Sequence, residues 1–175
     1  MDLICCNNKH KEYNSILYQL DELYRYKKEK TKIFNFSKNG KLIICLIEFR
    51  LMEEIKYVIY ALLSVYSPNE IGLAFVYGKL NKKYIEETFK DFNNIQLIEY
   101  DYDNINRGIY SAILKTPEFY ENFLNWSHLL IYQTDSVLLR KVDDIYFNYD
   151  YVGAPWIETN QWCKYNAGNG GFSLR

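Results

Sequence analysis

Histidine is scarce in this chain and cysteine is scattered. There are two histidines and four cysteines, and the latter stand at positions 5, 6, 45 and 163. No pair has CxxC spacing and no histidine clusters with them, which argues against a zinc centre and a disulfide framework and points mildly to a reducing compartment. Cys45 lies inside an apolar run and reads as a core residue. Cys5 and Cys6 are candidates for lipidation, but Asp2 stands where myristoylation needs glycine. No stretch approaches the roughly 18 consecutive apolar residues of a membrane span. The amino-terminal residues also lack the apolar region and cleavage site of a secretory leader, so the expected location is cytoplasmic. Formal charge is short of either sign, at -1. That gives no electrostatic case for a nucleic-acid partner.

What the chain does have is apolar and aromatic mass. Hydrophobic residues make up 49% of its 175 residues. That suffices for one domain with a sizeable core, with or without an appendage. The 18 tyrosines suit strands as well as stacking on sugars and bases.

The most informative stretch runs from His128 to Arg140. An apolar strand ends there on a small polar turn, Gln133-Thr134-Asp135-Ser136, and a second apolar run, Val137-Leu138-Leu139, follows at once. A short apolar run bounded by turn residues is the pattern of a central strand in an α/β sheet. In open α/β sheets, ligands bind beyond the carboxyl ends of the strands. Asp135 is therefore read either as a ligand-facing carboxylate or as the cap of a turn. A hard divalent cation is held by one or two such carboxylates together with substrate phosphates.

Residues 11–30 carry apolar positions at helical spacing with a charged opposite face, and read as a solvated amphipathic helix. Residues 31–40 read as a polar linker holding a short aromatic piece, which leaves 1–40 as an extension and 41–175 as the main domain. Lys41 to Phe49 is a continuous apolar run, the expected first buried parallel strand. Glu48 and Arg50 stand at its carboxyl end, either as a structural ion pair or as ligand contacts. A helix is expected over 51–66, a strand over 71–78, a helix over 81–92 capped by Asn81, and a strand over 95–100. This alternation predicts a parallel sheet with crossover helices. Asp101-Tyr102-Asp103 leads into a polar loop and reads as solvated. Residues 110–126 hold one or two helices, with Pro117 at a permitted first position. Lone His128 reads as packing or solvated. Pro155 confines the piece after Asp150 to an edge or a loop. Three glycines among 168–171 suit close backbone approach to a bound group.

Three ordered motifs carry a resemblance. They are Gln133-Thr134-Asp135-Ser136, the YDYVGAPW stretch at 149–156 and the GNGGFSLR stretch at 168–175. Together they resemble an uncharacterised domain family grouped with the GT-A-type glycosyltransferases. The likeness runs from about Lys41 to Arg175. In that pattern Gln133 takes the first position of the Asp-x-Asp pair and Asp135 the second. The resemblance implies a GT-A-like, Rossmann-like α/β fold with a mixed, mostly parallel sheet flanked by helices. It implies transfer of a sugar from a nucleotide-diphosphate sugar to an unknown acceptor, assisted by Mn²⁺ or Mg²⁺ at Asp135. Glu48, Arg50, Gln133, Thr134, Asn169, Gly170 and Gly171 become donor-binding candidates, Trp156 a sugar or acceptor contact, and Asp150 a candidate catalytic residue. Two departures matter. Gln133 replaces an acidic ligand, and GT-A enzymes place a further metal ligand and catalytic residues beyond the point this chain reaches. The expectation from another class is thus a non-catalytic nucleotide-sugar-binding or interaction module; a nucleotidyltransferase is a third.

Overall fold

The computed structural model describes residues 18, 19, 21–23, 25, 26, 28–30, 33–154 and 171–175. Trp156, Asn169 and Gly170 lie outside the described residues, as do Cys5, Cys6 and Cys163. No described helix is long and apolar enough to cross a membrane.

The described residues between 18 and 30 are helical, as the periodicity predicts. Strand β1 (Phe34–Asn35) follows, then β2 (Gly40–Ile47), helix α1 (Glu54–Val65), β3 (Gly72–Tyr77), α2 (Lys82–Thr88), β4 (Phe92–Asn93) and β5 (Gln96–Glu99). Helices α3 (Arg107–Ile113) and α4 (Pro117–Glu121) lead into β6 (Trp126–Tyr132), and the short strands β7 (Val152–Gly153) and β8 (Ser173–Leu174) complete the series.

Six strands form one mixed sheet in the order β5-β3-β2-β6-β8-β7. The four strands β5, β3, β2 and β6 run parallel, and β8 is antiparallel to both its neighbours. The sequence-predicted α/β class and mostly parallel sheet are the observed ones. Strand β2 is apolar throughout because both its faces are covered. Leu42, Ile44 and Leu46 pack with Ile55, Ile59 and Leu62 of α1 on one side. Ile43, Cys45 and Ile47 pack with Ile113, Phe119 and Phe123 on the other. Such double burial is what makes parallel strands read as continuous rather than alternating runs.

Two short pieces differ from the sequence reading. Phe34 and Phe36, expected in a linker, are buried in the core. Strand β1 pairs in parallel with β4, setting Phe34 beside Phe92, so α2 stops at Thr88 and Phe92 goes to a strand. The second apolar run, 137–139, forms no strand or helix. Leu138 alone is buried. It is tied down by its N–H donating to Tyr132 Oη at 3.4 Å, while that hydroxyl donates to Val58 O at 3.4 Å.

Candidate functional site

The chain winds outward from β2 to β3 and β5, then returns to lay β6 on the other flank of β2. The reversal falls between β2 and β6. Such a switch point opens a crevice at the carboxyl ends of the strands, where open α/β sheets bind ligands. Residues 48–50 leave the end of β2 and residues 133–136 leave the end of β6, so the two sequence-predicted clusters meet at this point.

They are joined by hydrogen bonds. The Glu48 side chain is 8% exposed. Its Oε1 accepts from Phe49 N at 3.0 Å, Arg50 N at 2.9 Å and Arg50 Nε at 2.8 Å. Its Oε2 accepts from Arg50 Nη2 at 2.6 Å and from the Thr134 hydroxyl at 3.1 Å. Burial pushes this carboxyl up, but the Arg50 side chain and backbone N–H, with Thr134, outweigh it and hold it below the ordinary glutamate value. Glu48 therefore sits in the crevice as a charged, fully engaged acceptor. It aims Arg50 rather than reaching for a ligand. The Arg50 guanidinium is raised, first by its hydrogen bond to Glu48 and, among smaller effects, by the charge of nearby Asp135. Nε and Nη2 are taken by Glu48. The side chain is 60% exposed, which leaves an accessible edge suited to an oxyanion.

Asn81 completes the frame, and sequence reasoning gave it another role. Its side chain makes no helix-capping bond. Instead, fully buried, it donates to Glu48 O at 2.7 Å and Arg50 O at 3.2 Å, and accepts from Gly78 N at 3.2 Å. One amide thus ties the end of β2 to the end of β3. The available hint was a polar side chain just beyond a buried strand; the partners are 31 and 33 residues away.

Ser136 N donates to Gln133 O at 3.1 Å, closing a turn with Thr134 and Asp135 at its centre. Asp135 is exposed, and its Oδ1 accepts a long 3.4 Å bond from Ser136 Oγ. Gln133 hydrogen-bonds to Tyr110 of α3; burial raises that phenol, with Arg175 and the Gln133 bond pulling the other way. Gly171 also comes to this edge. Ser173 pairs with Ile131 in the antiparallel ladder, so Gly171, two residues earlier, lies towards the carboxyl end of β6.

Asp150 is not brought to the crevice. Val152 lies across β8 from Leu130, so the exposed Asp150 sits towards the amino end of β6, away from the 133–136 turn. Asp101 and Asp103 are exposed, as expected, and Asp101 forms an ion pair with Lys79. His128 packs edge-on against Phe147 at 4.9 Å. A separate apolar cavity of about 340 Å³ lies among Leu130, Leu138, Val142, Val152, Phe172 and Leu174. None of the crevice residues lines it.

Among the described residues, no group of three His, Cys, Asp or Glu side chains converges. Glu48 is spent on its own donors, which leaves Asp135 and Glu54, both close enough to act on the Arg50 charge, to offer oxygen. One carboxylate with phosphate oxygens and water fits a magnesium-like ion carried in with a phosphorylated ligand.

A family model described as a protein of unknown function, DUF5672, matches residues 94–175. Gln133, Thr134, Asp135 and Arg175 fall inside the matched stretch, whereas Glu48, Arg50 and Asn81 fall before it. No curated protein and no solved structure matches the chain.

Proposed function

We propose that the crevice between β2 and β6 binds a nucleotide-diphosphate sugar and that the protein transfers the sugar to an acceptor. The observation carrying this reading is the Arg50–Glu48–Thr134 network, which fixes a cation and an exposed Asp135 turn at the switch point of the sheet. Arg50 binds diphosphate oxygens. Asp135 would hold Mn²⁺ or Mg²⁺, and Gly171 would allow the sugar close to the backbone. The cation, when bound, supplies Lewis-acid neutralisation of the leaving diphosphate. The motif resemblance supports the reaction class, and the switch-point geometry supports the choice of binding site.

The test is binding of uridine- and guanosine-diphosphate sugars, followed by thermal shift with and without Mn²⁺, since a ligand of the folded state raises the melting temperature. A manganese-dependent shift that Asp135→Asn abolishes is the expected result. A shift unchanged in the variant would remove the metal role. A second reading, a donor-binding module without turnover, is favoured by the commitment of Glu48, whose carboxylate is already occupied by its own donors. Sugar release from the donor, measured on the same protein, separates the two.

A further inference from the structure

A second arginine, Arg175, lies beside β6 on its β8 flank, and no role follows for it from the motif alone. Its backbone pairs with β6: Arg175 N donates to Leu129 O at 2.9 Å and Leu129 N to Arg175 O at 2.8 Å. The side chain then bends back along its own strand. Nε donates to Ser173 Oγ at 3.3 Å, and Ser173 faces Ile131. Nη1 donates to the Tyr120 hydroxyl of α4. The guanidinium carbon stands 5.7 Å from the centre of the Tyr151 ring. The group is half-buried. Two hydroxyls and one ring hold it, and among the described residues no Asp or Glu side chain pairs with it.

A half-buried cation without a carboxylate partner is poorly compensated. Its direction matters as much as its charge. Leaning from the level of Leu129 to that of Ile131 carries it towards Gln133 along the same face of the sheet. Tyr110, which hydrogen-bonds Gln133, feels the charges of both Arg175 and Asp135. Arg175 thus stands on the α3 and α4 side of β6, across that strand from Arg50 at the end of β2.

We propose that Arg175 binds an oxyanion of the ligand that enters the crevice, through the guanidinium edge not taken by Ser173 and Tyr120. Two groups share that chemistry: the diphosphate itself and a carboxylate on the transferred sugar. The inference rests on the crevice being a site for a phosphorylated ligand, and the probes separate the two ideas. Binding of inorganic pyrophosphate, uridine diphosphate, UDP-glucose and UDP-glucuronate is measured by calorimetry on wild type, Arg175→Gln and Arg175→Lys. Circular dichroism and melting temperature check each fold.

If Arg175 meets the diphosphate, Arg175→Gln weakens all four probes about tenfold, the scale of one charge-assisted hydrogen bond, and Arg175→Lys recovers part of it. If it meets a sugar carboxylate, the loss is confined to UDP-glucuronate. Either outcome supports the inference. Equal binding of every probe by wild type and Arg175→Gln overturns it while leaving the nucleotide-sugar reading intact. Pyrophosphate binding that depends on Arg175, with no nucleotide bound, overturns the nucleotide reading alone. Failure of wild type to bind any probe overturns both. Tyr120→Phe, which keeps the charge and removes one anchor, costs less than Arg175→Gln under the inference; an equal or larger loss there would also count against it.

Discussion

Replacing Glu48 by Gln tests the frame of the site directly. The side chain accepts five hydrogen bonds, two of them from the Arg50 guanidinium. Glutamine keeps one oxygen, which can still serve Phe49 N and Arg50 N. Its amide nitrogen then confronts the Arg50 and Thr134 donors, and an Arg50 charge loses its counterion. Breaking a buried or half-buried pair by removing one partner costs about 3–5 kcal/mol when both ions are buried. Arg50 is mostly exposed, so solvent screening lowers the expectation to roughly 2–3 kcal/mol. For a chain of this length that is a fall in melting temperature of about 4–12 °C. The pH dependence gives the sharper check. The folded carboxyl lies below its unfolded value. Its contribution is therefore fully present above the ordinary glutamate pKa, about 4.3, and fades as pH falls through the lower folded value. Thermal melts of wild type and Glu48→Gln from pH 7 to pH 3 should converge on acidification. A gap at pH 7 that persists unchanged at pH 3 would refute the electrostatic account, and no gap at pH 7 would refute the network's importance.

Two further perturbations probe the surrounding fold. A Cβ at Gly72 would stand 2.3–2.9 Å from three atoms of the Trp126 ring. Gly72→Ala is thus expected to cost about 1–3 kcal/mol by overpacking, seen as a lower urea midpoint, and Trp126→Leu in the same chain should relieve it; an unshifted midpoint in the single variant would refute the contact. Burial pushes the Tyr132 phenol up to about 12, with the Leu138 N–H opposing. A raised folded pKa means stability that is complete below the unfolded value near 10 and is lost as pH climbs from about 10 to 12, amounting to roughly 2–3 kcal/mol. Urea midpoints between pH 8 and pH 11.5 should fall accordingly, and less steeply in Tyr132→Phe.

Where both faces of an element are covered by its neighbours, its sequence announces it. Lys41 to Phe49 and Ile71 to Gly78 are apolar at nearly every position because α1 packs on one side and α3 and α4 on the other. Their order, alternating with helical periodicity, was enough for a parallel sheet. What could not be read was set by partners distant in the chain. Strands β1 and β4 are two residues each, too short for periodicity, and exist only because Phe34 and Phe92 meet. Asn81 has the residue type and position of a helix cap, yet its amide is claimed by carbonyls just beyond the end of β2. The candidate site divides in the same way. Glu48, Arg50 and Asp135 were marked by standing after buried strands. That Glu48 would be consumed in positioning Arg50 depends on the turn at 48–50 and on Thr134, which is 86 residues away.

The two arginines differ in a manner that bears on how the crevice is used. Arg50 is clamped by a carboxylate and held charged, so its local field is largely cancelled before any ligand arrives. Arg175 is clamped by hydroxyls and a ring, which fix its direction and leave its charge uncancelled. Geometry favours Arg50 as the fork that orients an oxyanion, because Glu48 removes its rotational freedom before binding. Charge favours Arg175 as the attractor, because among the described residues its partners are two hydroxyls and an aromatic ring rather than a carboxylate. Asp135 lies near Arg50 and Tyr110, and it would repel a bare diphosphate. A divalent cation at that carboxylate would reverse the sign. Under the proposed function, metal and diphosphate would then bind together more tightly than either alone, and the coupling would be reciprocal.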